Sequence, residues 1–146
     1  MQRLVRRAKP LVVSVGAALL AAGALSSALG QGERRSVRDG VFSAEQVARG
    51  ERTFDRVCLD CHEIEEFTGR GAYLDDVEGR TVWQVFDYIW AEMPEDRPSS
   101  LEPEEYADVL SYLFSVYGLP AGPEPLPTTR AELRRITIEP PELPGS

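Results

Sequence analysis

The segment Cys58-Leu59-Asp60-Cys61-His62 holds the residues whose types and spacing could do chemistry. Two thiols three residues apart can form thioether bonds to the two vinyl groups on one edge of a haem. A histidine directly after the second thiol then lies beneath the iron and supplies its proximal nitrogen. The spacing therefore predicts one covalently bound haem c, attached through Cys58 and Cys61 and ligated by His62.

The same cysteines permit other interpretations. A Cys-x-x-Cys pair also occurs in thioredoxin-like redox sites, but there a strand precedes it, whereas here the pair ends a predicted helix. A structural zinc site usually has four cysteine or histidine ligands, and this chain has two cysteines and one histidine. A plain disulfide is compatible with an exported protein but gives His62 no role. Haem attachment is the hypothesis that uses all three residues.

The second axial ligand of the iron follows by elimination. His62 is the only histidine, both cysteines are already used, and the only lysine, Lys9, lies in the N-terminal segment. Apart from Met1, Met93 is the only methionine, and it stands at the predicted end of a helix, just before a proline. We predict Met93 as the sixth iron ligand. The alternative is that Met93 fills a gap in the core.

Residues 1–30 have the layout of an export signal. A basic start is followed by an apolar run from Leu11 to Leu29, and small residues precede Gln31. We predict a signal peptide at residues 1–30, with an uncleaved membrane anchor as the alternative because the run is long enough to span a bilayer. In both cases the remainder is expected in the periplasm, attached to the inner membrane only if this segment is retained.

The remainder of the chain is acidic. Residues 31–146 carry 12 arginines against 24 carboxylates, a net charge of -12. This balance argues against nucleic-acid binding, which needs a basic surface. It favours a basic partner surface, or simply high solubility.

Capping signals and periodicity predict three short helices, at about residues 44–57, 81–92 and 103–118. The first two begin with capping boxes at Ser43 and Thr81, and the third begins at Pro103, a favourable first helical residue. Gly50 is expected to let the first helix cross the third closely, near Tyr112. The region between residues 63 and 80 is predicted to be loop.

These features resemble class I cytochrome c. The residues that carry the resemblance are Cys58–His62, Gly71, Leu74, Gly79-Arg80 and Met93-Pro94, followed by a helix with Tyr106 and Tyr112. The resemblance implies an all-α cytochrome c fold with histidine and methionine as axial ligands. Family members often have Gly-Pro-x-Leu where this chain has Gly71-Ala72-Tyr73-Leu74. The carbonyl of that proline usually orients the proximal histidine, and the Ala72 carbonyl could do the same.

A narrower resemblance lies between residues 93 and 122. The segments Ser99–Leu101, Glu104–Leu110 and Gly118–Gly122 are similar to monohaem cytochromes that accompany pyrroloquinoline-quinone (PQQ) alcohol dehydrogenases. This similarity implies redox protein partners, with a quinoprotein dehydrogenase as electron donor and an oxidase or another cytochrome as acceptor.

The predicted organisation has four parts: a signal peptide at 1–30, a flexible leader at 31–42, a cytochrome c domain at 43–118, and a Pro-rich C-terminal tail at 119–146 that wraps the domain. Within the domain, helical spacing predicts that Val82, Phe86 and Ile89 wall the haem pocket. The predicted propionate partners are Arg70, Arg80 and one of the two tryptophans, Trp83 and Trp90.

With both axial positions filled, the iron has no open site for a substrate. The leading hypothesis is therefore a periplasmic single-electron carrier rather than an enzyme. Two alternatives stay open. One is a five-coordinate haem c sensor or small enzyme, in which Met93 does not bind the iron. The other is a haem subunit fixed in a larger oxidoreductase complex.

Overall fold

A computed structural model describes residues 33–69 and 71–141, so the predicted signal peptide lies outside the described residues. The elements, in chain order, are β1 (Arg35–Ser36), a 3-10 helix (Val37–Asp39), α1 (Ala44–Thr53), a π-helical turn (Phe54–Cys58), a 3-10 helix (Ile64–Phe67), α2 (Tyr73–Asp76), α3 (Val82–Glu92), α4 (Pro103–Val116), α5 (Arg130–Leu133) and β2 (Ile136–Thr137). The predicted all-α fold class is confirmed. In the described part of the chain, no helix is both long and apolar enough to cross a membrane.

The three main helices begin where the capping signals predicted. The Ser43 hydroxyl accepts the Gln46 N–H while the Gln46 side chain accepts the Ser43 N–H, and Thr81 and Gln84 form the same kind of box at α3. The first helix differs in its second half. Regular α-helix ends at Thr53, and a π-helical turn continues to Cys58. The predicted loop at residues 63–80 also contains two short helices.

Helices α1 and α4 cross in very close contact at Gly50. A Cβ atom on this residue would lie 1.9 Å from the Asp108 carbonyl oxygen and 2.9 Å from the Tyr112 Cβ. The contact predicted near Tyr112 is thus confirmed. Beside it, the Arg49 guanidinium donates two hydrogen bonds, of 2.6 and 2.8 Å, to the buried Asp108 carboxylate. This bidentate pair fixes the rotation of one helix against the other.

The segment predicted as a flexible leader is, from residue 33 onward, part of the core. Val37, Val41 and Phe42 are almost completely buried. β1 pairs in parallel with β2, and the Gly122 N–H donates to the Phe42 carbonyl at 2.7 Å. The leader prediction is therefore wrong for these residues. Local sequence did not reveal it because the partners of this segment lie about a hundred residues away in the C-terminal tail.

The C-terminal tail packs against the helices along most of its length. Its side chains Leu126, Leu133, Ile136 and Ile138 are buried. The buried Gln46 amide holds the tail backbone, since its Nε2 donates to the Leu126 carbonyl at 3.1 Å and its Oε1 accepts the Leu126 N–H at 2.5 Å. Up to residue 141, the Pro-rich tail thus adds both apolar surface and paired backbone groups to the domain.

The close approach at Gly50 predicts that Gly50→Ala destabilises the protein. By helix propensity alone this change would stabilise α1 by about 1 kcal/mol. The clash with backbone atoms of α4 should outweigh that gain and lower the free energy of unfolding by about 2 kcal/mol. Thermal unfolding followed by circular dichroism measures the effect. The control is Ala48→Gly on the exposed face of α1, whose effect on stability reports helix propensity alone. An increased melting temperature for Gly50→Ala would contradict the close crossing of α1 and α4.

The buried tail predicts that truncation after Gly118 lowers thermal stability. The truncation removes five buried aliphatic side chains, those named above and Leu119, each of which stabilises the fold by about 1.5–3 kcal/mol. We expect the melting temperature to fall by at least about 10 °C. Truncation after Pro141, which keeps every described tail residue, serves as the control. Equal melting temperatures for the two truncated chains would show that the tail does not stabilise the domain.

Candidate functional site

One cavity collects all four residues that the sequence singled out for haem binding. Cys58, Cys61, His62 and Met93 line a cavity of about 840 Å³ between the π-helical turn, α3 and α4. This volume lies in the upper part of the range for cofactor pockets. The two cysteines and the histidine enter it from the end of the π-helical turn, whereas Met93 enters from the end of α3.

The walls of this cavity, hereafter the haem cavity, are mostly apolar. They include Phe54, Val57, Phe67, Leu74, Val85, Ile89, Leu101, Val109, Leu110 and Leu113. Of the three wall residues predicted on α3, only Ile89 lines the cavity. Val82 and Phe86 are instead buried in the main core. They were predicted on helical spacing alone, which does not distinguish the side of α3 that faces the cavity from the side that faces the tail.

The Cys-x-x-Cys-His segment is held compactly by backbone hydrogen bonds. The Cys61 and His62 N–H groups both donate to the Cys58 carbonyl, at 3.1 and 2.9 Å. Burial raises the pKa of the Cys58 thiol to about 11. A redox-active Cys-x-x-Cys motif needs a lowered thiol pKa, so this environment argues against the thioredoxin-like alternative. A half-buried neutral thiol facing an apolar cavity suits attachment to an apolar cofactor edge.

His62 is oriented by a carboxylate rather than by the expected backbone carbonyl. Its Nδ1 lies 3.1 Å from Glu66 Oε2, one helical turn ahead in the sequence. The Ala72 carbonyl, which the sequence suggested for this role, accepts the Asp75 N–H at 2.9 Å. Because a carboxylate only accepts hydrogen bonds, Nδ1 carries the proton and Nε2 keeps its lone pair for a metal.

Met93 is positioned by both neighbouring helices. Its N–H donates to the Ile89 carbonyl at 2.9 Å, which makes it the C-terminal cap of α3. The Tyr106 hydroxyl on α4 donates to the Met93 carbonyl at 2.8 Å. Burial raises the pKa of Tyr106, so the hydroxyl remains a donor across the neutral range. Tyr106 is a family feature in the sequence, but its role at Met93 cannot be read from the sequence, because the contact joins residues 13 apart in separate elements.

The predicted propionate partners Arg80, Trp83 and Trp90 do not line the haem cavity. Arg80 and Trp83 line a second cavity, of about 540 Å³, together with Arg130 and Arg134 from the tail. Trp90 lines neither cavity and is 41% exposed. Arg70 lies outside the described residues.

The rim of the haem cavity is acidic. Four carboxylates line it, Asp60, Glu66, Glu95 and Asp96. The one arginine among its lining residues, Arg97, forms an ion pair with Asp96 at 3.2 Å. We call this surface the acidic mouth, and it concentrates part of the chain's negative charge around the opening.

These residues fit a covalently attached haem. The macrocycle requires apolar walls, two thiols on one side, and axial donors that approach from two different elements. The haem cavity supplies all of these. In residues 33–69 and 71–141, no group of three or more histidine, cysteine, aspartate or glutamate side chains is placed to hold a bare metal ion.

Comparison with known families agrees with this site. Residues 45–113, just under half of the chain, match the family described as cytochrome c oxidase, cbb3-type, subunit III. No curated protein and no solved structure matches the chain. The matched region includes the Cys-x-x-Cys-His motif and Met93. Residues 45–113 are thus a c-type cytochrome domain, which carries covalently bound haem c.

Proposed function

We propose that this cytochrome is an exported single-electron carrier with one haem. Cys58 and Cys61 form its thioether bonds, and His62 and Met93 are its axial ligands. The observation that carries the proposal is the convergence of these four residues, from two separate elements, on one apolar cavity. The haem iron supplies a one-electron redox couple, and the chain supplies attachment, ligation and exclusion of water.

The residues around the two ligands set their geometry. Glu66 fixes the ring orientation of His62 and makes its Nε2 more basic, which favours the oxidised iron. Tyr106 fixes the backbone at Met93, whose thioether favours the reduced iron and raises the reduction potential. Apolar walls also favour the reduced state, because they disfavour extra charge. The reduction potential would therefore reflect opposing influences, one from His62 with Glu66 and the other from Met93 with the apolar walls.

The proposed setting is the periplasm. The export signal predicted at residues 1–30 supports this location, and retention of that segment would attach the protein to the inner membrane. The proposed donor is a quinoprotein dehydrogenase, on the resemblance of residues 93–122, and the proposed acceptor is an oxidase or another cytochrome. Ligation by both His62 and Met93 leaves no coordination site for a substrate, which supports a carrier rather than an enzyme.

A second candidate function is a haem subunit fixed in a larger complex. It is favoured by the match to a family whose description names a subunit of an oxidase. Purification of the native protein from membranes and from the soluble periplasmic fraction separates the two proposals. A free carrier is expected as a monohaem species in the soluble fraction, whereas a fixed subunit should copurify with its complex in constant ratio.

Removal of the two thiols should abolish covalent haem. We expect the wild-type chain, coexpressed with a cytochrome c maturation system, to give a haem-stained band in a denaturing gel. The Cys58→Ala/Cys61→Ala variant should give none, since no thioether can form. The control is Met93→Ala, which keeps both thiols and should still stain. A wild-type chain without stain under these conditions would refute the attachment.

Loss of Met93 should change the iron's coordination and potential. The oxidised wild type should show the weak near-infrared absorption of a sulfur-to-iron bond, and Met93→Ala should lose it. The variant should also bind CO readily and have a lower reduction potential, because thioether ligation raises the potential.

The matched control for Met93→Ala is Ile89→Ala, which enlarges the same cavity and removes no ligand. Its spectrum should keep the near-infrared band. Identical spectra for Met93→Ala and wild type, or CO binding by the wild type as fast as by the variant, would favour the five-coordinate sensor.

A further inference from the structure

A second cavity beside the haem cavity is lined by three arginines. Arg80, Arg130 and Arg134 surround a space of about 540 Å³, and Trp83 and Gln84 on α3 contribute to its floor. We call this space the arginine cleft. None of the residues assigned above to haem attachment or iron ligation lines it, although Arg80 and Trp83 are predicted propionate partners.

Two distant parts of the chain bring these arginines together. The Arg80 backbone is held by the tail, since the Ile138 N–H donates to the Arg80 carbonyl at 2.8 Å and the Gly79 N–H donates to the Ile138 carbonyl at 2.9 Å. In the tail, buried Leu133 holds α5 against the core. The Arg130 guanidinium lies over the Trp83 ring, 5.5 Å from its centroid. This cation–π contact limits the positions open to Arg130.

The charge of the cleft is opposite to that of its surroundings. Among the described residues, none of these three arginines forms an ion pair with a carboxylate of the chain. Two carboxylates, Asp76 and Asp87, line the same space, so the cleft has an excess of one positive charge. Residues 31–146 together carry a net charge of -12. An isolated positive cleft on an acidic protein attracts anionic groups locally.

The arginine cleft and the haem cavity share a wall. Tyr73, Val85 and Tyr88 line both spaces. Tyr88 is 50% exposed, so a molecule seated in the cleft would contact a side chain whose other side faces the haem cavity. The acidic mouth opens from the haem cavity through different residues, among them Asp60 and Glu95.

We propose that the arginine cleft is a docking site for an acidic surface of a redox partner, separate from the acidic mouth. Charge complementarity selects the partner, since its carboxylates would pair with Arg130 and Arg134. The shared wall places that partner one side-chain layer from the haem cavity. The inference rests on the proposed electron-carrier function. It adds the place at which one of the two redox partners binds, and the negative charge of the surface which that partner presents.

Oxidation by ferricyanide tests the cleft with an anionic probe. Each event moves one electron from the reduced haem to ferricyanide, which becomes ferrocyanide. The variant Arg130→Glu/Arg134→Glu is compared with Arg52→Glu/Arg135→Glu, which has the same net charge and alters exposed arginines outside the cleft. The rates are measured by stopped flow at about 0.1 M ionic strength. The Debye length is then about 10 Å, so charges far from the cleft have little influence on the rate.

We expect the cleft variant to react with ferricyanide about tenfold more slowly than the control variant. A hexaglutamate peptide should inhibit ferricyanide oxidation of the wild type and of the control, but not of the cleft variant. The cationic oxidant tris(phenanthroline)cobalt(III) should react with both variants at equal rates, since it does not need the cleft. Equal ferricyanide rates for the two variants would overturn the proposal.

Occupation of the cleft by the haem propionates is the competing outcome. In that case Arg130→Glu/Arg134→Glu would change the reduction potential relative to the control variant, and hexaglutamate would not inhibit the wild type. This result would also overturn partner docking. Failure of the electron-carrier proposal would look different: the wild type would show no reversible one-electron couple and would react with neither oxidant.

Discussion

The haem cavity, an apolar space of about 840 Å³, is the constraint on which the rest of the fold depends. Protein interiors are close-packed, and large voids are strongly destabilising. The π-helical turn, α3 and α4 line this space with aliphatic and aromatic side chains, so the cofactor completes their core. Covalent attachment then keeps that part of the core in place. Stability and cofactor binding are therefore one property of this protein rather than two.

Helix α4 holds the elements on both sides of the haem cavity in position. On one side, the crossing at Gly50 and the Arg49–Asp108 pair fix α1, whose continuation carries Cys58. On the other side, Tyr106 holds the backbone of Met93. The distance between the two proposed axial ligands is thus set through one helix. A change at the α1–α4 crossing should act on coordination as well as on stability, although it touches no haem ligand.

Local signals in the sequence were sufficient for the starts of the main helices and for the two cysteines, His62 and Met93, but not for the walls of the haem cavity, where Val82 and Phe86 were predicted and do not line it. Capping boxes at Ser43 and Thr81 gave the helix starts, and the motif spacing and the elimination argument selected the cysteines, His62 and Met93. The burial of Val37 and Phe42 was missed because their partners are in the tail. Glu66 as the partner of His62 was also missed, because the family pattern predicts a backbone carbonyl, that of Ala72, as the hydrogen-bond partner of the histidine. The burial of Val37 and Phe42 thus depends on contacts with a distant segment that no local pattern encodes, whereas the His62–Glu66 contact is local, between residues four apart.

The tail changes the electrostatics of the protein as well as its stability. Without α5 the region around Trp83 would carry only Arg80, and the carboxylates Asp76 and Asp87 would outnumber it. Packing of the tail adds Arg130 and Arg134 and reverses the sign of this surface. An electron carrier must bind two partners weakly and release both, which favours small, polar, transient interfaces. Two surfaces of opposite charge beside one haem cavity allow each partner to be selected by its own charge, without competition for a single face.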